Sequence, residues 1–130
     1  MADGFTEIKI KELDDEASAP SGVGSLMRIV LRLSSHAPIE WENYFNAAWE
    51  QHFYMSKRQA YVAGDRLEII CALSNLESEH IPELKKVIDD TNRTYQNYKI
   101  EQDRIAEAEE HKRSLERQEL SDLKGRLKFD

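Results

Sequence analysis

Cysteine is almost absent from this 130-residue chain: Cys71 is the only one, set in an apolar run. That excludes an internal disulfide and a cluster of thiolate metal ligands. No apolar run approaches the ~18 residues that a membrane-spanning helix requires. The N-terminus is acidic and has no apolar signal core, so the expected location is cytoplasmic. A basic segment is missing as well. Residues 1–24 carry two basic and six acidic groups, residues 25–75 five of each, and residues 76–130 eleven basic and fourteen acidic, for an overall net charge of −7. Duplex nucleic acid held through its phosphates is therefore disfavoured, and single-strand contact through Arg28, Arg32, Lys57, Arg58 and Arg66 is the weaker remaining form.

Sequence patterns for common chemistries are missing too. His36, His52, His80 and His111 fall in four different elements, with no spacing that suits a metal ion. The Gly22–Gly24 pair precedes a strand rather than opening a helix, so it lacks the helix N-terminus that holds phosphate. Ser34 and Ser35 have no glycine elbow around them. Asp89 and Asp90 are neighbours on a helical run and diverge by about 100°, so they do not share one ion. No catalytic residue, metal ligand or cofactor site is assigned, and the reading leans away from an enzyme.

What is present is pattern. "FTEIKIKEL" (Phe5–Leu13) alternates as a short strand, and the small and turn-forming residues of Asp14–Ser25 read as a flexible linker. In "LMRIVLRL" (Leu26–Leu33), Met27, Ile29, Leu31 and Leu33 point one way and Arg28, Val30 and Arg32 the other. Pro38 opens a helix carrying Trp41, Phe45, Ala48 and His52 at helical spacing. "SKRQAYV" and "RLEIICAL" form a hairpin through Gly64. Ser74 and Glu77 have the spacing of a capping box, with the regular helix starting near Ile81 or Pro82. No strong stop follows until Gly125, although "DDTNRTYQN" (Asp89–Asn97) is weak in helix propensity and offers a break near Thr91–Thr94.

The expected fold is α+β: a small, mostly antiparallel sheet of about four strands in the order ββαββα. Its helices cover one face, and a long C-terminal helix projects or pairs as a coiled coil. The segments are an N-terminal strand and linker (1–24), an α+β domain (25–105) and a charged helical extension (106–130). A seam of Ile81, Leu84, Ile88, Thr91, Tyr95, Tyr98, Gln102 and Ile105 weakens outward. Leu115, Leu120, Leu123 and Leu127 then resume it out of phase. Tyr95, Tyr98, Ile105, Leu115, Leu120 and Leu123 are accordingly the expected dimerisation residues.

Two surfaces are candidates for a partner. The helix around Trp41, Tyr44 and Trp49 concentrates aromatics of the kind that dominate binding hot spots. The second sheet face carries Arg28 and Arg32 near Tyr61, suited to an acidic peptide or anion unless cross-strand Arg–Glu pairs neutralise it. The function these readings favour is a non-catalytic protein-binding module, homodimeric, of inhibitor, immunity or adaptor type. The alternative is a small ligand-binding domain or enzyme with a pocket between the Trp41/Trp49 helix and the sheet.

Overall fold

Alternation in Met27–Leu33 produces the strand around which the sheet is built. The computed structural model describes residues 5–129; the outermost ends of the 1–24 and 106–130 segments, residues 1–4 and 130, lie outside the described residues. In chain order the elements are β1 (Ile10–Leu13), β2 (Ala19–Pro20), β3 (Met27–Leu33), α1 (Ile39–Gln51), β4 (Ala60–Ala63) and β5 (Arg66–Cys71). They are followed by a short turn α2 (Leu73–Asn75), a π-helical turn (Leu76–His80) and the long α3 (Ile81–Arg126). All pairings are antiparallel, in the order β1-β3-β5-β4, with β2 sharing the β1 edge of β3. The five strands are the expected four plus the two-residue β2, and the first strand does join the main sheet.

One face of this sheet is the core face. Ile29, Leu31 and Leu33 lie beside Leu67, Ile69 and Val62, and all are buried with Trp41, Phe45, Trp49, Leu84 and Ile88. The helices thus bury the apolar rows that the alternation defines. Asp14–Ser25, read above as a linker, is hydrogen-bonded to β3 instead of hanging free. At Val30, between the two short edge strands, side chains and turns complete the ladder. The Val30 N–H donates to Ser18 Oγ at 2.9 Å, and its carbonyl accepts the Asp14 N–H at 2.9 Å. Ser and Asp can do this because their short side chains substitute for backbone partners.

Helix side chains line the β4 edge of the sheet and hold the chain just before β1. On the β4 edge, Asn46 accepts the Val62 N–H at 2.8 Å and donates to the Val62 carbonyl at 3.3 Å. Glu42 accepts the Gly64 N–H at 2.9 Å, and Trp49 Nε1 donates to the Arg58 carbonyl at 3.0 Å. Residues 42, 46 and 49 are spaced by four and three, so one stripe of α1 runs along the strand and stands in for a neighbouring strand. On the opposite side, Asn92 of α3 treats Ile8 in the same way: its Oδ1 accepts the Ile8 N–H at 3.0 Å and its Nδ2 donates to the Ile8 carbonyl at 2.8 Å.

The β4–β5 turn depends on Gly64, whose φ of +65° belongs to the left-handed region. A methyl group there would also lie 2.9 Å from the His36 ring. Gly64→Ala is expected to cost about 1–2 kcal/mol, mostly from the dihedral. Urea titration of Gly64→Ala beside the double variant with His36→Ala checks this. Removing the ring should recover only a minor part of the loss, and full recovery would assign the cost to the contact instead.

α3 runs without a break through Thr91–Thr94. Weak helix formers are tolerated there because two of them serve the core. Thr91 Oγ1 donates to the Val87 carbonyl at 2.7 Å, and Asn92 makes the contacts just described. The capping box at Ser74 and Glu77 does not form. The first turn follows Ala72 with no side-chain cap, and the chain passes through the π turn before reaching Pro82. Pro82, which has no N–H to donate, falls in the first turn of α3 directly after the π turn.

Candidate interaction site

The aromatics of α1 are mostly interior. Trp41, Phe45 and Trp49, four residues apart, stack in a ladder with centroids 5.8 and 6.2 Å apart and planes within 8°. All three are buried, and Trp41 Nε1 donates to Asn92 Oδ1 at 3.0 Å. Tyr44 is half-buried edge-on against Tyr98 at 6.0 Å. Trp41 and Trp49, expected as partner contacts, therefore belong to the core, and Phe45, Leu67 and Ile69 fill the space between α1 and the sheet. Outside it, an open groove of about 520 Å³ runs past Asn46, Trp49, Lys57, Arg58 and Tyr61. Its Lys57 ammonium is already engaged by the Trp49 and Glu50 carbonyls, at 2.5 and 3.2 Å.

The outer sheet face does bring Arg28, Arg32 and Tyr61 to one side, with Arg66 and Glu68. Charges there are matched. Glu68 is buried between Arg28 and Arg66, at 3.6 and 3.4 Å. Arg32 reaches Asp14 at 2.8 Å and Asp65 at 3.1 Å. The Ala17 N–H and then the Arg32 guanidinium hold the Asp14 carboxyl below its ordinary value. Burial, then the neighbouring Glu68, pushes the Tyr61 phenol up. Three guanidinium groups and three carboxylates leave no charge surplus for an anion. Sequence spacing alone did not show that two of those carboxylates, Asp14 and Asp65, come from turns.

A polar cluster that sequence reasoning missed lies where the α1–β4 loop meets the π turn. Tyr54 Oη and His80 Nδ1 are 2.7 Å apart, and His80 is fully buried, with no hydrogen-bond partner for Nε2. Nearby, His52 Nε2 lies 2.8 Å from Glu83. Burial pushes the Tyr54 phenol up to about 12 and also raises the Cys71 thiol. Both groups keep their protons at neutral pH, so the cluster offers neither a phenolate nor a thiolate there. Its visible role is to hold the π turn to the loop.

His80 nevertheless makes stability depend on pH. Burial holds its folded pKa below the ordinary value of 6.5, so the unfolded chain takes up the proton first. Stability from the neutral ring is therefore complete above pH 6.5 and is lost as pH falls below it, toward the folded pKa. Asp14 and Glu83 are also held low, so their contributions are lost only at more acidic pH. Thermal melts should show stability declining as pH falls below 6.5, and His80→Phe should flatten that slope. An unchanged slope would remove His80 as its source.

The expected dimerisation residues divide into two groups. Tyr95 is buried against Phe5, with ring centroids 4.7 Å apart, and Tyr98 is half-buried, so both already serve this chain's core. Ile105, Leu115, Leu120 and Leu123 are exposed by 39, 53, 66 and 40%. Among the described residues from Ile100 outward, only Asp103 is even partly covered, and α3 projects from the body. Leu115 is displaced by about a third of a turn from the line of Ile105, Leu120 and Leu123 at helical spacing. The coherent exposed row is therefore Ile105, Leu120, Leu123 and, beyond the helix end, Leu127. No family model matches the chain, nor does any curated protein or solved structure with which it was compared.

Proposed function

We propose that the chain is a protein-binding module of adaptor type that dimerises through the projecting part of α3. One observation carries the reading. The face of α3 that packs into the core as far as Tyr98 continues into solvent as Ile105, Leu120 and Leu123, exposed by 39–66%. A helix of this polarity is marginal alone in water, and ion pairs such as Glu101–Arg104 and Glu110–Arg113 add only about 0.2–0.5 kcal/mol each. Burying the leucine row against a partner supplies what the isolated helix lacks.

Light scattering on the full chain and on a chain ending near Glu107 tests this reading. The full chain should have twice the mass of one copy, and the shortened chain the mass of one while keeping its folded circular-dichroism spectrum. Leu120→Asp with Leu123→Asp should give the same loss of association. A full-length chain that remains at the mass of one copy would sink the reading.

A further inference from the structure

Steps of three and four that average 3.6 residues stay on one side of a straight α-helix. Starting at the buried Thr91, that walk passes Tyr95, Tyr98 and Ile105 and reaches Leu120, Leu123 and Leu127, with Glu109, Lys112 and Glu116 between. The exposed apolar row is therefore on the same side of the helix as the body.

Charge divides the projecting segment into halves. Lys99–Glu110 holds two basic and five acidic groups, a net of −3. Lys112–Lys128 holds six basic and three acidic groups, a net of +3. The helix dipole favours acids in the first turn and bases in the last, and its effect fades within about one turn. It accounts for Lys124 and Arg126, which lie in the last turn of α3. It does not account for Glu101–Glu110, about five turns or more beyond Ile81, nor for Lys112, Arg113 and Arg117 well before the end. Intrachain pairing leaves the division in place, because Glu110 meets Arg113 and Arg117 only across the boundary, at 3.4 and 3.8 Å.

We propose that the partner of this segment is the same segment of a second copy, running antiparallel, acidic half against basic half, with Lys112 near the centre. The proposal rests on the dimer reading above and specifies its geometry. In this register Ile105 of one copy faces Leu120 of the other, and Gln102 faces Leu123. A parallel pair sets acids against acids and bases against bases. It also brings two bodies, each about 25–30 Å across, to the same end of helices packed only about 8–10 Å apart. The antiparallel pair instead leaves one body at each end of a paired length of about 45 Å.

Disulfide trapping tests the orientation. The native Cys71 is buried, so new thiols on the helix report on pairing alone. Gln102→Cys and Leu123→Cys are made as separate full-length variants, checked for association by light scattering and oxidised mildly. Antiparallel pairing predicts that each variant alone stays at the background of the unsubstituted chain and that their equimolar mixture yields a covalent heterodimer. Each variant cross-linking to itself while the mixture gains nothing further means a parallel pair and overturns this proposal, leaving the dimer reading intact. An associated chain with no cross-link in any sample also overturns it. An unsubstituted chain found as a single copy overturns both.

Discussion

Asn92→Leu should nearly unfold the protein, although it replaces one helical residue by a better helix former of similar size. Asn92 Oδ1 accepts hydrogen bonds from both the Ile8 N–H and the Trp41 indole, each at 3.0 Å, while Nδ2 donates to the Ile8 carbonyl at 2.8 Å. Asn92 and Ile8 are 2% and 1% exposed, so water does not replace these partners. Each orphaned buried group costs about 1–3 kcal/mol, and three together come to about 3–9 kcal/mol. Total stability for a domain of this size is only about 5–15 kcal/mol. The neighbouring Thr91→Val removes one bond to Val87 and is expected to cost about 1 kcal/mol. Urea denaturation measures both, and amide exchange should show Ile8 losing protection in Asn92→Leu. A cost for Asn92→Leu no greater than that for Thr91→Val would show that the three bonds do not act as described.

Phe45→Ala carries the other large effect. Phe45 is the middle ring of the Trp41–Phe45–Trp49 ladder and is completely buried. Truncating a buried phenylalanine costs about 3–5 kcal/mol, including the cavity that remains. The same chemical change at Phe53, which is 78% exposed, should stay within about 0.5 kcal/mol. Near-ultraviolet circular dichroism provides a second readout, because both flanking indoles lose their stacked neighbour only in Phe45→Ala. Equal costs at the two positions would contradict the burial assigned to the ladder.

Much of this fold is legible in residue order because its periodicities are clean. Alternation in Met27–Leu33 and Arg66–Cys71 places the core rows, and Gly64 marks the hairpin. The long helix is legible through its lack of stops. What is not legible is the work done by short polar side chains. Asn46 and Asn92 look like surface residues in sequence, and Asn92 meets Ile8 across 84 positions. The aromatics around α1 suggested a contact surface in sequence. Three stack inward, and Tyr44 and Tyr54 are packed against the core cluster, leaving Phe53 outside. The arginine face looked open to an anion because Asp14 and Asp65 are supplied by turns, which alternation along the strands does not register.

The span between Ile8 and Asn92 also orders events during synthesis. The segment around Ile8 emerges from the ribosome before α3, yet the side chain that holds its backbone is made 84 residues later. Until then the Ile8 N–H and carbonyl have no Asn92 to meet, and the indole of Trp41 waits for the same atom. The segment around Ile8, made well before α3, is thus expected to be among the last to lock. Chains stalled before residue 92 should leave Ile8 open to exchange and to protease, and chains stalled well after it should not.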